Sequence, residues 1–171
     1  MNHYKVIDEL QSIQSRLYRV ARRILVSHEE SQDCVQDVMV KILERQEIAE
    51  QAKSIEAYAI TMVKNQSMDR LKSKQAGFLR IEESRLEDVV SAEDERDETF
   101  NSAQRLRKVD EAVQHLPEKQ RLVWQLRDVE GYDFEEIESI MDMNASAVRV
   151  TLSRARKAIR TQILGKDENE S

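Results

Sequence analysis

The stretch Asp133-Phe-Glu-Glu-Ile-Glu-Ser-Ile-Met-Asp-Met-Asn-Ala-Ser-Ala-Val-Arg-Val-Thr-Leu-Ser-Arg-Ala-Arg-Lys-Ala-Ile-Arg160 decides the fold. Asp133 suits an N-cap, because its carboxylate accepts from the free amides of a first helical turn, and Glu136 holds the capping-box position three residues on. Phe134, Ile137, Ile140 and Met141 form one apolar face at helical spacing. Asp142-Met143-Asn144 breaks the run: Asp and Asn tolerate left-handed backbone, Asn144 suits the next N-cap, and Met143 plugs the space between helices. In the second helix, at roughly 100° per residue, Val148, Leu152, Ala155, Ile159 and Ile163 point into a core. Ser146, Arg149, Ser153, Arg156, Lys157 and Arg160 gather opposite, flanked by Arg154, and no acid interrupts Arg149 to Arg160. Two helices joined by a short turn, the second basic on one side, make a helix-turn-helix, whose second helix fits a DNA major groove; the alternative for such a charge run is a solvated face. Arg149, near the start of that helix, is the candidate base reader. Arg156 and Arg160, two and three turns on, suit phosphates.

With 35% charged residues, 5% aromatics, 3 Gly and 1 Pro in 171 residues, the chain reads as all-α. Its net charge of −6 argues against a protein that coats nucleic acid through bulk charge, so DNA must be met through local patches. Cys34 is the only cysteine, which leaves no intramolecular disulfide and suits a reducing cytoplasm. The opening Met-Asn-His-Tyr-Lys starts a charged amphipathic helix and does not resemble a signal peptide. No apolar run approaches the ~20 residues of a membrane span.

Val6, Leu10, Ile13, Leu17, Val20 and Ile24 predict a first helix to about Val26. Ser27 with Glu30 offers a capping box for the next, whose buried stripe is Cys34, Val35, Val38, Met39 and Ile42. The other side carries Asp33, Gln36, Asp37, Val40 and Glu44, either a solvated face with one stray Val or a docking surface for a basic partner. Gln46 to Lys53 reads as a polar break. Ser54 caps a third helix through Ile55, Tyr58, Ala59, Met62 and Val63, which turns basic at Lys64, Asn65, Gln66, Ser67, Arg70, Lys72 and Lys74 and ends at Ala76-Gly77. Lys and Arg suit phosphates, and Asn and Gln also suit base edges.

An acidic linker without apolar period is predicted next, over 76–103, where 9 acids meet 3 basic residues; residues 1–75 carry 12 positive and 11 negative charges, and 104–171 carry 12 and 13. Leu106, Val109, Val113 and Leu116 mark a helix ending before Pro117. Leu122, Val123, Leu126 and Val129 carry the next to Gly131, which suits a left-handed cap. Trp124 is assigned to core, and the acidic tail 165–171 is read as disordered. The expected organisation is two small helical domains, 1–75 and 104–164, on the tether.

This arrangement resembles the bacterial sigma-70 family, specifically its two-domain extracytoplasmic function (ECF) sigma factors. Leu116-Pro-Glu-Lys-Gln-Arg-Leu-Val-Trp-Gln-Leu-Arg-Asp-Val-Glu-Gly131, with Val148-Arg149 and Ser153-Arg-Ala-Arg156, looks like the family's region 4. Asp33-Cys-Val-Gln-Asp37, Asn65 and Asp69-Arg70 look like region 2. The resemblance implies that Asp33, Gln36, Asp37 and Val40 dock the clamp helices of core RNA polymerase. Lys64, Asn65, Arg70 and Lys72 would engage and open the −10 element, with the Gln46–Lys53 loop capturing a flipped base. Ser146, Arg149, Ser153, Arg154, Arg156, Lys157 and Arg160 would read the −35 element. The linker would thread the RNA exit path. Further implied partners are promoter DNA and a restraining anti-sigma factor, of a kind often anchored in the membrane; no cofactor is implied. Glu138 and Asp142 replace a usual small residue and Gly of the motif, and Thr151 a usual basic residue.

A stand-alone helix-turn-helix regulator is the second reading, but residues 1–75 offer no evident ligand pocket or heptad seam. An enzyme is the third. His3, His28 and His115 lie on different elements, and no nucleophile, metal or phosphate-loop spacing is present, so no catalytic or metal residue is assigned.

Overall fold

The computed structural model describes residues 3–52, 54–78 and 100–170, with side chains over 4–52, 54–74 and 102–165. Its elements, among the described residues, are helices: α1 His3–Ser12, α2 Gln14–Leu25, α3 His28–Glu44, α4 Gln46–Gln51, α5 Ile55–Phe78, α6 Phe100–Gln114, α7 Glu118–Trp124 with a π-helical continuation Gln125–Val129, α8 Phe134–Met141 and α9 Ala145–Glu170.

The apolar seam Val6 to Ile24 is buried as its spacing requires, but it belongs to two helices. Ile13 leaves helical backbone at φ −109° and ψ 7°, and its amide is shared between the carbonyls of Glu9 and Leu10. α2 ends at Val26, whose φ of 68° is a left-handed conformation that a β-branched side chain rarely takes. Ser27 Oγ accepts from Glu30 N at 3.2 Å to start α3. Val35, Val38 and Ile42 of α3 then share a cluster with Ile60 and Val63 of α5, and the buried Cys34 meets Ser67 of the same helix. Ser54 Oγ caps α5 by accepting from Ala57 N at 3.1 Å.

Several expectations are corrected. Gln46–Gln51 is helical, because Ala49 is small enough to bury fully and anchor a short turn. α5 continues through Gly77 to Phe78, and Phe100–Ala103 already open α6, so the stretch read as linker is shorter at both ends; its middle, 79–99, lies outside the described residues. Leu106 is 71% exposed, whereas Val109, Ala112 and Val113 further along α6, with Leu116 just beyond it, pack with Ala155 and Ile159 of α9. Val129 is likewise exposed. The tail read as disordered from Gly165 continues α9 to Glu170.

The two halves share a core. Leu122, Val123, Leu126, Tyr132, Ile137, Ile140, Val148 and Leu152 join the apolar residues of α1–α5 in one cluster. α2 packs on α7 and its π turn, and α5 packs on α8. Trp124 bridges this cluster and the smaller one under α6.

Candidate nucleic-acid interface

The helix-turn-helix is set by its caps. Asp133 accepts from Glu136 N at 2.8 Å while Glu136 accepts from Asp133 N at 2.9 Å, so the reciprocal box is complete. Asp142, where the motif usually has Gly, takes left-handed backbone at φ 54° and donates its amide to Glu138 O, so the turn survives the replacement. Asn144 Oδ1 accepts from Ala147 N at 2.8 Å and launches α9. Val148, Leu152, Ala155 and Ile159 are buried. Ser146, Arg149, Ser153, Arg154, Arg156, Lys157 and Arg160 are all exposed, and Arg149, Ser153, Arg156, Lys157 and Arg160 line one open concavity with Phe134.

The cations on this face are not equivalent. Two guanidinium groups lie over the Phe134 ring, Arg127 at 4.5 Å and Arg149 at 5.4 Å from its centroid, which pre-positions Arg149 without neutralising it. Arg156 instead forms a two-bond pair with Asp128, at 2.6 and 2.9 Å, and those hydrogen bonds hold its guanidinium pKa above the ordinary value. Among the described residues, no ion pair engages Arg149, Arg154, Lys157 or Arg160.

On the other half, Asp33, Gln36 and Val40 are exposed on one side of α3, with Asp37 half-buried beside them. Arg70 of α5 clamps both acids, donating to Asp33 at 2.9 Å and Asp37 at 2.5 Å. Burial pulls its pKa down, yet the two carboxylates leave it raised on balance. Asp33 and Asp37, singled out for docking, and Arg70, singled out for the −10 element, therefore meet in one network, which Gln66 and Lys41 extend. Asn65 and Lys72, two turns apart, are exposed on a single face of α5. Lys64 is turned away: its ammonium donates to Ile140 O in the last turn of α8 at 2.8 Å, and burial lowers its pKa. Ser67, grouped with the basic end by sequence, is fully buried beside Cys34 Sγ at 3.4 Å; burial in turn pushes the thiol pKa up.

Residues 10–77 match the family model "Sigma-70 region 2", and residues 106–159 match "Sigma-70, region 4". The chain belongs to the sigma-70 family. Residues 78–105, all that separate the two matches, leave no room for another domain between them, as in the ECF sigma factors. This sigma factor is accordingly no enzyme; it directs promoter-specific transcription initiation together with core RNA polymerase. Its fold is similar to that of the RpoE sigma factor from Bartonella quintana, solved with the anti-sigma factor NepR: 19% identity, 91% of this chain and 94% of that one covered, TM-score 0.75. It is also similar to CnrH, solved with the cytosolic domain of CnrY, at 16% identity, with 96% and 90% covered and a TM-score of 0.68. No curated protein sequence matches the chain. Among its described residues, no helix of the sigma factor is long and apolar enough to cross a membrane.

Sequence reading missed the arginines of α2. Arg19 reaches Glu130 through two bonds, 2.7 and 2.8 Å, and Arg23 reaches Gln125, Asp110 and Gln114 at 2.8–2.9 Å. The π turn makes this possible. An i→i+5 bond from Glu130 N to Gln125 O, followed by Gly131 at φ 79°, swings both side chains under α2. Nothing in the local pattern announces such a turn, because Gln125 and Glu130 are ordinary helix formers.

Proposed function

We propose that the sigma factor divides its work as its exposed faces suggest. The exposed basic side of α9, opposite a fully packed stripe, carries the reading: Ser146, Arg149, Ser153, Arg154, Arg156, Lys157 and Arg160 take the −35 element. Arg149, without an ion pair among the described residues and lying over the Phe134 ring, meets base edges, and the cations further along the helix meet phosphates. Asn65 and Lys72, with Arg70 and Lys64 on the same helix, serve the −10 element. Asp33, Gln36, Asp37 and Val40 dock core polymerase; the 52% exposed Val40 beside acids held in place by Arg70 supports that role. On this reading residues 1–75 and 104–164 act as the two functional domains, with 76–103 joining them and 165–171 outside both. The site of action is the cytoplasm. An anti-sigma factor is a fitting partner, since the similar RpoE and CnrH structures were solved with NepR and with CnrY.

Titration of the full chain with core polymerase tests this assignment. Asp37→Arg should weaken core binding at least tenfold while helical content stays unchanged, because it places a cation against Arg70 and removes an acid from the docking face. Core affinity and transcription that survive the reversal would move the docking surface elsewhere. Tight sequence-specific binding of the chain without polymerase would favour a stand-alone regulator.

A further inference from the structure

We propose that Arg70 is a positioning residue for polymerase docking: its guanidinium locks Asp33 and Asp37 so that one oxygen of each is left for a donor of the polymerase. The proposal rests on the docking reading above and deepens it.

The geometry starts in the core. Cys34 and Ser67 are both fully buried, with Sγ and Oγ 3.4 Å apart, so α3 and α5 meet there through small side chains. Arg70 follows Ser67 by three residues, on the same side of α5. Its fork therefore arrives beside Cys34, at the level of the two acids. Nη1 donates to Asp33 Oδ2 at 2.9 Å and Nη2 to Asp37 Oδ2 at 2.5 Å. The Arg70 side chain is 25% exposed, against 68% and 48% for the acids, so the cation is the inner partner and the carboxylates the outer ones. Gln66 Nε2 reaches the same Asp37 oxygen at 3.4 Å, and Lys41 in turn donates to Gln66 Oε1 at 3.1 Å. All three bonds to the acids take Oδ2. Among the described residues, no hydrogen bond engages Oδ1 of either.

Asp33 and Asp37 are one helical turn apart, a spacing of about 5–6 Å between Cβ atoms at which like charges repel. One planar guanidinium bridges that gap and fixes both carboxylates, which the point charge of an ammonium cannot do. The two remaining oxygens suit a partner with basic donors one turn apart, and the 52% exposed Val40 adds an apolar contact on the next turn. An amphipathic helix of the polymerase carrying two such cations has this chemistry. Acids ordered in advance spare the complex the cost of ordering them on binding. A cation placed between two acids could act in the opposite sense, by neutralising the face, and the two roles differ in sign.

The test is titration of core polymerase with the full-length chain in the absence of DNA, so that the −10 role of Arg70 does not enter. Arg70→Ala should weaken core binding about tenfold, since two freed side chains must then be ordered on binding. Arg70→Lys keeps the charge without the fork and should recover part of that loss. In an Asp33→Ala/Asp37→Ala background, itself weakened, Arg70→Ala should have no further effect, because nothing is left to position. A general loosening of α5 would instead weaken both backgrounds alike. Should Arg70→Ala lose helical content, Arg70→Lys carries the same comparison: weaker than wild type with the acids present, without effect once they are gone. Core binding that is unchanged or tighter in Arg70→Ala, or an equal loss in both backgrounds, overturns the proposal. Asp33→Ala/Asp37→Ala that binds core as tightly as wild type would count against the docking reading itself.

Discussion

Asp128→Asn should make the sigma factor bind promoter DNA more tightly, because Asp128 neutralises a cation on the side of α9 that we propose faces DNA. Two hydrogen bonds tie Arg156 to Asp128, and the partners are 49% and 26% exposed. A pair this exposed contributes at most about 1 kcal/mol to stability, so the near-isosteric amide leaves the fold intact. What changes is the charge offered to phosphate. One regained phosphate contact steepens the slope of log K against log salt by about 0.9 and, at 0.15 M relative to 1 M, is worth about fivefold in affinity. The assay is holoenzyme affinity for −35 variants across salt, for wild type, Asp128→Asn, Arg156→Ala and the double variant. Asp128→Asn should tighten every sequence alike by about fivefold. Arg156→Ala alone should flatten the slope by clearly less than one unit, and the double variant should match it. Weaker binding by Asp128→Asn, or an equal effect in the Arg156→Ala background, would show that Asp128 orients Arg156 for DNA and would refute the reasoning.

Arg149→Ala should cost roughly 1–3 kcal/mol at the preferred −35 sequence and relax preference at one base pair, measured on the same variant set; an equal loss on all sequences would reverse the orientation of α9 in the groove. Val26→Gly should stabilise by about 1 kcal/mol, raising the melting temperature by roughly 2–4 °C, because it relieves a β-branched residue at φ 68°. Gly131→Ala should destabilise by a similar amount, since φ 79° disfavours any Cβ although no atom lies within 4 Å of one. Burial first, then the bond to Glu56, raises the Tyr132 pKa above its ordinary 10.0. Its stabilisation is therefore complete below pH 10 and lost as pH climbs beyond it; denaturant titrations at rising pH should show a loss that Tyr132→Phe lacks.

Local chemistry was enough for much of this molecule. The box at Asp133 and Glu136, the caps at Ser54 and Asn144, the left-handed Asp142 and Gly131, and the buried stripes of α3 and α9 follow from helix periodicity and end satisfaction, which act within a few residues. The basic face of α9 was legible for the same reason: 3.6 residues per turn fix which side chains share a side. That periodicity does not say which of those cations is free. Arg156 lies 28 positions from its acid and Lys64 76 positions from its carbonyl, and only the folded chain brings them together. The junction of the halves was equally hidden. Arg19 and Glu130 stand 111 residues apart, and a π turn with no sequence signature aims the carboxylate at α2. Sequence patterning determined which surfaces exist; long-range packing decided which of them face solvent and which face each other, because burial and charge pairing depend on neighbours that the chain supplies from far away.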